Sequence, residues 1–421
     1  MTQLIERRQA NASEKGERIH LPNDQESSGR SFGPEELELL REVLNSGTLT
    51  STKGTMVRRL EQRFAEVLEV PFARACSSGT TAVHAAIAAV NPEPGTEIIT
   101  TPITDMGALS PIIFQTAIPV FADVDPITGN VTARSIEDRM SERTRAIVVT
   151  HLFGNPVADL AEIRELANAY GVPLIEDCAQ AFLASMDGQP VGTWGDLGCF
   201  SLQQGKHITC GEGGLVVTSD QALARYIKVW IDKAWPYGEA NADHEFLAMN
   251  GRLSELQGAV ALAQMDKLSN GVKRRIEMAA RLTRALEGLP GLTTPKTAAT
   301  ARNVFWRYPV LIDPEIVEGG PHGVASDLGR VGIGSAPRYI QKPAFQCKVI
   351  ADQRTFGESR FPFSLARPEA IDYSPDKFPG VFDYLDQVLV LPWNERFEAH
   401  HVEALAGALS DSILARAGEA R

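Results

Sequence analysis

The sequence predicts an α/β fold in which a large domain with a mainly parallel sheet precedes a smaller C-terminal α/β domain. Between residues 70 and 220, short apolar runs alternate with helical stretches, and strands joined by helical crossovers form parallel sheets covered on both faces. A second alternation of strand-like and helical segments fills roughly the last hundred residues. The chain has 421 residues, 43% of them hydrophobic and 22% charged, which is enough to bury a core in each domain.

The individual elements follow from apolar spacing and from terminating residues. Pro34 opens a helix whose leucines recur at helical spacing, and Gly47 stands where such a helix ends. The predicted helices cover residues 34–46, 56–68, 82–90, 159–170, 249–286 and 399–417. The predicted strands are Glu97–Thr101, Pro119–Ala122, Ala146–Thr150, Pro173–Ile175, Cys199–Leu202, Leu215–Thr218 and Val304–Ile312. Three parts are predicted: a mobile N-terminal arm (1–33), a large domain (34–270) and a smaller C-terminal domain (271–421).

Charge and composition exclude several classes of function. The net charge is −12 and the longest basic run is Lys273–Arg275, so a nucleic-acid partner is not expected. The five cysteines form no C-x-x-C pair and the histidines no H-x-x-x-H pattern, so neither a disulfide framework nor a metal site is expected. The first 26 residues lack an apolar core, and no stretch reaches the ~18 apolar residues of a membrane span. We expect a cytoplasmic protein without a membrane partner.

A first candidate motif is Cys76-Ser77-Ser78-Gly79-Thr80-Thr81, directly before an alanine-rich helical run. Small residues at a helix start expose backbone N–H groups, and the helix dipole adds positive potential, which suits a phosphate. The same residues also fit an ordinary Ser/Thr helix cap. Both interpretations remain open for this motif alone.

A second candidate motif is Glu176-Asp177 at the end of the predicted strand around Ile175. A carboxylate at the end of a buried strand is costly to keep charged unless it has a cationic partner, and a pyridinium N–H is such a partner. The alternative is an acidic pair that caps the following helix.

A third candidate motif runs from Phe200 to Gly214 and places Lys206 after an apolar strand, among glycines that permit close approach of a ligand. A lysine in a partly dry site loses proton affinity, as Schiff-base chemistry requires. The alternative is an exposed loop lysine. Neither Gly205-Lys206 nor Gly211–Gly214 completes a P-loop or a G-x-G-x-x-G fingerprint, which removes support for kinase and dehydrogenase functions.

Taken in this order, the three motifs resemble the DegT/DnrJ/EryC1/StrS family of pyridoxal-phosphate aminotransferases that act on keto-sugars and keto-cyclitols. The most specific part is the pattern S-x-x-x-x-K-x-x-T-x-G-E-G-G, which Ser201, Lys206, Thr209 and Gly211–Gly214 satisfy. The resemblance implies an aspartate-aminotransferase-like fold (pyridoxal-phosphate fold type I), pyridoxal 5′-phosphate as cofactor, and a transaminase active in cyclitol or amino-sugar biosynthesis, including that of antibiotics.

The resemblance also implies roles for single residues. Lys206 is the lysine that forms the aldimine with the cofactor, and Asp177 pairs with the pyridine nitrogen and keeps the ring an electron sink. Gln180 reaches the 3-oxygen of the ring. The phosphate is held by Gly79, Thr80 and Ser201.

A further string, Asn250-Gly251-Arg252-Leu253-Ser254-Glu255-Leu256-Gln257, is similar to the N-Y-R-x-x-E-L-Q string of the family. The resemblance implies that the asparagine reaches the phosphate in the neighbouring subunit. It therefore also implies a homodimer with shared active sites. Read alone, the string is a helix N-terminus with Ser254 near its cap.

The sequence departs from the family after Pro102-Ile103-Thr104, where an aromatic residue usually stacks on the cofactor ring. Asp105 and Met106 stand there instead, so the cover is either Met106 or another residue. Asp105 becomes a candidate for contact with the substrate amine or hydroxyls. Arg338, Tyr339 and Lys342 occupy a string that resembles a substrate-contacting loop, and its cations are candidates for a donor carboxylate or a diphosphate.

The implied reaction moves an amino group from glutamine or glutamate to a keto-cyclitol or keto-sugar through a pyridoxamine phosphate intermediate. Gln203-Gln204 before the lysine is similar to members that aminate scyllo-inosose with glutamine. The alternatives are a nucleotide-linked keto-sugar or an aminoshikimate-type ring as acceptor, and a non-catalytic cofactor-binding regulator.

Overall fold

The computed structural model describes residues 18–419, which contain a large seven-stranded sheet, a small four-stranded sheet and a further three-stranded sheet, with helices around them. In chain order the strands are β1 Phe72–Cys76, β2 Glu97–Thr100, β3 Ile118–Phe121, β4 Thr144–Thr150, β5 Leu174–Asp177, β6 Ser185–Met186, β7 Gln189–Pro190, β8 Leu197–Ser201, β9 Gly214–Thr218, β10 Leu292–Thr293, β11 Ala301–Arg302, β12 Tyr308–Ile312, β13 Ala336–Pro337 and β14 Val388–Leu391. The helices are α1 Pro34–Ser46, α2 Met56–Leu68, α3 Gly79–Val90, α4 Met106–Phe114, α5 Ala133–Glu137, α6 Leu160–Tyr170, α7 Gln221–Trp230, α8 Glu255–Leu286, α9 Gly320–Arg330, α10 Lys348–Ala351, α11 Pro379–Gln387 and α12 Ala399–Glu419.

The large sheet has seven strands in the order β1-β9-β8-β5-β4-β2-β3. The five strands from β8 to β3 are parallel, whereas β9 runs antiparallel to both of its neighbours. The prediction of a mainly parallel sheet is therefore confirmed. Because β5 and β8 are parallel and Asp177 is in register with Cys199, their carboxyl ends meet at one edge of the sheet. Ligand sites of open α/β sheets collect at this edge.

The small sheet is antiparallel, in the order β10-β12-β14-β13, and packs with α9 and α12 around a second core. Helix α8 joins the two cores, because Leu268 and Val272 pack in the first whereas Leu282 and Leu286 pack in the second. The helix thus crosses the predicted boundary at residue 270 without a break, and the domain boundaries stay predictions. No helix among residues 18–419 is both long and apolar enough to cross a membrane.

The start of α8 explains most of the string that begins at Asn250. Glu255 is buried, and its carboxylate accepts hydrogen bonds from the backbone N–H groups of Met56 at 2.7 Å and Val57 at 3.1 Å, which begin α2. A carboxylate there stabilises the free N–H groups and the positive end of the helix dipole. Ser254 and Gln257 form a reciprocal capping box on α8. A side chain at Gly251 would lie 2.7 Å from Thr81, so glycine fits where the family has tyrosine.

Residues 18–33, the described part of the predicted arm, form a segment that lies against both cores; residues 1–17 lie outside the described residues. Ile19 donates its N–H to Val331 in the small domain at 2.9 Å, and Lys267 of α8 donates to the carbonyl of Ser31 at 2.7 Å. Arg30 is only 5% exposed. We refer to residues 18–33 as the N-terminal segment.

Candidate active site

A cavity of about 380 Å³ lies at the carboxyl edge of the large sheet. Its walls come from the start of α3, the loop before α4, the ends of β5 and β8, and two aromatic residues of the C-terminal part. Its lining residues include Gly79, Thr80, Asp105, Asp177, Gln180, Ser201, Lys206, Glu212, Trp306 and Tyr339. The structure thus brings together all three sequence motifs, which are far apart in the chain.

Lys206 projects into this cavity from a tight turn that follows β8. Its N–H donates to the carbonyl of Gln203 at 2.9 Å, and its Nζ lies 4.1 Å from the ring centre of Trp306. Burial lowers the pKa of Lys206 to about 8, and the positive charge of Arg307 acts in the same direction, against the attraction of Asp177. A depressed pKa provides the neutral amine that attacks carbonyl compounds.

We expect the pH dependence of Lys206 acylation to report this depressed pKa. Only the neutral amine reacts, so labelling in cofactor-free protein should rise with pH to a midpoint at about 8. Exposed lysines titrate near 10.4, so at neutral pH Lys206 should have a neutral fraction roughly a hundredfold higher. Peptide mapping by mass spectrometry over a pH series gives both profiles in one sample. A midpoint above about 10 for Lys206 would contradict the buried environment.

Asp177 ends β5 and is 6% exposed. One carboxylate oxygen, Oδ1, accepts the N–H of Ala179 at 3.0 Å. Burial raises the pKa of Asp177, which the N–H of Ala179 and the nearby Lys206 and His151 only partly oppose. A further cationic N–H in the cavity would therefore stabilise the buried carboxylate.

The neighbouring Glu176 is also fully buried but serves the fold. His151 accepts the Val157 N–H on Nδ1, so its Nε2 carries the proton and donates to Glu176 at 3.0 Å. The remaining lone pairs of the carboxylate accept backbone N–H groups of Gly192, Trp194 and Gly195 at 2.7–2.8 Å. Of this acidic pair, Asp177 alone lines the cavity.

Gln180 has its amide orientation set by the backbone. Its Oε1 accepts the N–H of Phe153 at 2.7 Å, which leaves the amide NH₂ as a donor toward the cavity. Tyr339, which is half-buried, forms a hydrogen bond with the same side chain, and burial raises the pKa of its hydroxyl to about 12. Both groups therefore present neutral hydrogen-bonding atoms at neutral pH.

The N-terminus of α3 reaches the cavity through Gly79 and Thr80. The side chain of Ser78 accepts the N–H of Thr81 at 3.0 Å, so the motif does contain a helix cap. The first N–H groups of a helix have no partner within it and attract anions. A Cβ at Gly79 would lie 2.7 Å from that of Ser201, so only glycine permits this close approach.

These residues fit pyridoxal phosphate: Lys206 for its aldehyde carbon, Asp177 for its ring nitrogen, Gln180 for its 3-oxygen, and the start of α3 with Ser201 for its phosphate. The fit rests on a buried carboxylate, a lysine with a lowered pKa and a glycine cradle in one cavity. Placement of the residues is a finding, whereas their individual roles stay predictions.

Several predicted site residues lie elsewhere. Met106 does not line the cavity, because Asp105 caps α4 through the N–H of Gly107 and the methionine packs against the large core. Arg338 forms an ion pair with Asp386 rather than facing the cavity, and Lys342 is exposed outside it. Tyr339 is the residue of that string that lines the cavity.

The sequence analysis missed Trp306 and Glu212 as lining residues. Trp306 follows Lys206 by a hundred residues, and its indole N–H donates to the carbonyl of Gly205 at 2.7 Å. Neither spacing nor periodicity joins positions so far apart. A tryptophan near the start of the predicted strand Val304–Ile312 was the available signal.

Fold and site together define a pyridoxal-phosphate-dependent enzyme of fold type I, with a buried lysine in the cavity after β8. The comparison of sequences names the family: residues 31–409 match the DegT/DnrJ/EryC1/StrS aminotransferase family. The chain belongs to this family, and it is a pyridoxal-phosphate-dependent aminotransferase of the sugar and cyclitol group.

Relatives with different acceptors are similar to this chain. The GDP-perosamine synthase of Caulobacter vibrioides is 31% identical over 82% of this chain and 92% of its own length. The L-glutamine:2-deoxy-scyllo-inosose aminotransferase of Streptomyces kanamyceticus is 35% identical over 72% of this chain and 74% of its own. A solved structure, S. venezuelae DesV in complex with a ketimine intermediate, has a TM-score of 0.78 at 27% identity and covers 90% of this chain and 94% of its own.

Proposed function

We propose that this aminotransferase moves an amino group from glutamine or glutamate to a keto-cyclitol or a similar polyhydroxylated keto-sugar without a nucleotide. The observation that carries the acceptor class is the charge of the cavity. Among the described lining residues, Lys206 is the only cation, whereas Asp105, Asp177 and Glu212 are acidic. Carboxylates accept hydrogen bonds from hydroxyl groups but repel a diphosphate.

The ion pair of Arg338 also supports an acceptor without a nucleotide. A diphosphate is bound by cations that converge on it, preferably by arginine. Arg338 was predicted as a candidate for a donor carboxylate or a diphosphate, and it forms an ion pair with Asp386 outside the cavity. Glutamine as donor is supported by the similarity to the L-glutamine:2-deoxy-scyllo-inosose aminotransferase of Streptomyces kanamyceticus.

The residues of this chain divide the work between binding and proton transfer. Pyridoxal phosphate, when bound, supplies an electron sink for the charge that develops at the donor carbon. Lys206 Nζ, with a pKa of about 8, takes and returns a proton at that carbon near neutral pH. Asp177 holds the proton on the cofactor ring nitrogen, and the amide NH₂ of Gln180 donates to the ring oxygen. Trp306 and Tyr339 cover the lysine and reduce its contact with water.

The acceptor class can be tested on the two half-reactions separately. Glutamine or glutamate should first bleach the visible band of the cofactor in purified protein. Ketones are then added singly, as a panel of keto-cyclitols, nucleotide-linked keto-sugars and aminoshikimate-type rings, and the return of the band is followed. We expect keto-cyclitols to restore it. Restoration by nucleotide-linked sugars alone would contradict the acceptor class, and no response to any amino donor would indicate a regulator.

We also propose a homodimer in which Asn250 completes the partner's site. Asn250 is exposed and does not line the cavity of its own chain. Exposed apolar side chains lie close to it in sequence, with Leu247 95% and Met249 59% exposed. A second copy of this chain would cover this surface and bring Asn250 to a phosphate.

A subunit-mixing experiment tests the shared site. Lys206→Ala chains and Asn250→Ala chains, each impaired alone, are mixed and allowed to exchange. If Asn250 serves the partner, every heterodimer carries both defects in one site and keeps one intact site. Activity should then return to about a quarter of the wild-type value, because half of the dimers are mixed. No recovery despite demonstrated heterodimers would show that Asn250 serves its own chain or only the fold.

A further inference from the structure

The turn that carries Lys206 is held by side chains from distant parts of the chain. The guanidinium of Arg30 donates to the carbonyl oxygens of Gln204 and of Lys206, the latter at 2.8 Å. The indole N–H of Trp306 donates to the carbonyl of Gly205, which lies between them, at 2.7 Å. Three consecutive carbonyls are therefore bound by two side chains, and buried carbonyls without such partners are costly.

The guanidinium of Arg30 is itself held by ion pairs and hydrogen bonds. Its side chain is 1% exposed, and its charge is balanced by Asp24 at 3.9 Å and by Glu395 at 3.7 Å. Its Nε donates to the carbonyl of Asp24 at 2.9 Å, and the amide of Gln204 donates to the same oxygen at 2.9 Å. A guanidinium bound at Nε and at both terminal nitrogens has one orientation, because its donors form a rigid planar fork.

This arrangement acts on the lysine through the backbone. Arg30 does not line the cavity, so it does not touch a ligand there. The proposed reaction requires Lys206 Nζ to reach fixed points with an error well below 1 Å, since small displacements cost large factors in rate. The turn has no strand or helix hydrogen bonds of its own at these carbonyls, so its shape depends on Arg30 and Trp306.

We propose that Arg30 is a positioning residue for Lys206, and that the N-terminal segment is thereby a working part of the active site. The catalytic half of this inference rests on the proposed function. The structural half, the restraint of the turn, does not. The two halves need separate measurements.

The structural half is tested by amide hydrogen exchange in cofactor-free full-length protein. Arg30→Lys keeps the charge between Asp24 and Glu395 but cannot bridge two carbonyls. We expect the amides of Gly205 and Lys206, which are bonded to Gln203, to exchange about tenfold faster or more, as the loss of a charged hydrogen bond implies. Elsewhere in the large sheet the exchange rates should stay within about twofold.

Lys267→Met is the matched control, because Lys267 holds the carbonyl of Ser31, beside Arg30, without touching the turn. Its exchange at Gly205 and Lys206 should equal that of the wild type. If Arg30→Lys does not fold, Trp306→Phe is the second variant. It removes the indole N–H that donates to the carbonyl of Gly205 and should accelerate exchange at the same amides. An unchanged turn, or a rise spread evenly over the domain, would overturn the proposal.

The catalytic half is tested in the loaded enzyme by the split between kcat and KM. A displaced lysine should lower kcat in Arg30→Lys about tenfold, with the KM of the amino donor within about twofold. A change confined to KM, or none at all, would overturn the catalytic half. Failure of every ketone in the panel would sink the proposed function but would leave the exchange result standing.

Discussion

Replacing Lys206 with alanine should lower turnover by about 10⁴-fold or more, the upper end of what a lost acid–base group costs, because the covalent bond to the cofactor is lost as well. The fold should persist, because Arg30 binds the backbone carbonyl of Lys206, which the substitution keeps. The lost side chain contacts the ring of Trp306 through Nζ. Cofactor should still bind noncovalently, because Asp177 and the residues predicted to bind the phosphate remain. Turnover with the best ketone of the panel and cofactor retention after gel filtration measure both effects.

Lys273→Ala is the matched control for this variant, because Lys273 projects from α8 with a side chain 74% exposed and outside the cavity. Its turnover should stay within about twofold of the wild type. Substantial turnover in Lys206→Ala, at a hundredth of the wild-type rate or above, would mean that another group moves the proton.

Asp177→Asn should lower turnover by about 10²-fold or more with the fold intact. In its proposed role the carboxylate would hold the proton on the cofactor nitrogen, and an uncharged amide could not. The fold should persist because burial already disfavours the charged form of Asp177, whose pKa is raised. Near-normal turnover would mean that another group protonates the ring.

Glu176→Gln separates catalysis from fold in the adjacent position of the same strand. A glutamine NH₂ would face backbone N–H groups that now bind a carboxylate oxygen, at a cost of about 1–3 kcal/mol. We expect a lower melting temperature with nearly unchanged turnover per folded molecule. An unchanged melting temperature with a large loss of turnover would contradict the structural role assigned to Glu176.

Much of the fold was predictable because its strands are continuous apolar runs bounded by turns. The strands from β2 to β9 that form the large sheet were predicted within about two residues, and the helix at 56–68 matches α2 at both ends. Strand β1 was missed: its sequence, Phe-Ala-Arg-Ala-Cys, carries a charge and two alanines, and its order comes from pairing with β9. The predicted range 249–286 begins six residues before α8, whereas the interpretation of Ser254 as lying near the helix cap is confirmed by its capping box.

The site, like the fold, was predictable in part. Asp177 and Ser201 are the last residues of strands of the large sheet, and Gly79 and Lys206 follow such strands. The topology brings these strand ends together. Met106, predicted as a candidate to cover the ring, packs against the large core and does not line the cavity.

Arg30 and Trp306 were beyond sequence reasoning. Arg30 reaches the lysine turn across 176 positions, and Trp306 reaches Gly205 across 101. Only tertiary packing gives such contacts.

The central claim is that Lys206 is the residue joined to the cofactor, and borohydride reduction of the loaded wild-type enzyme tests it most directly. Reduction makes the bond between the lysine nitrogen and pyridoxal phosphate permanent, so proteolysis and mass spectrometry identify the labelled peptide. The account predicts a label on Lys206 alone. A label on Lys228, Lys233 or any other lysine would contradict it.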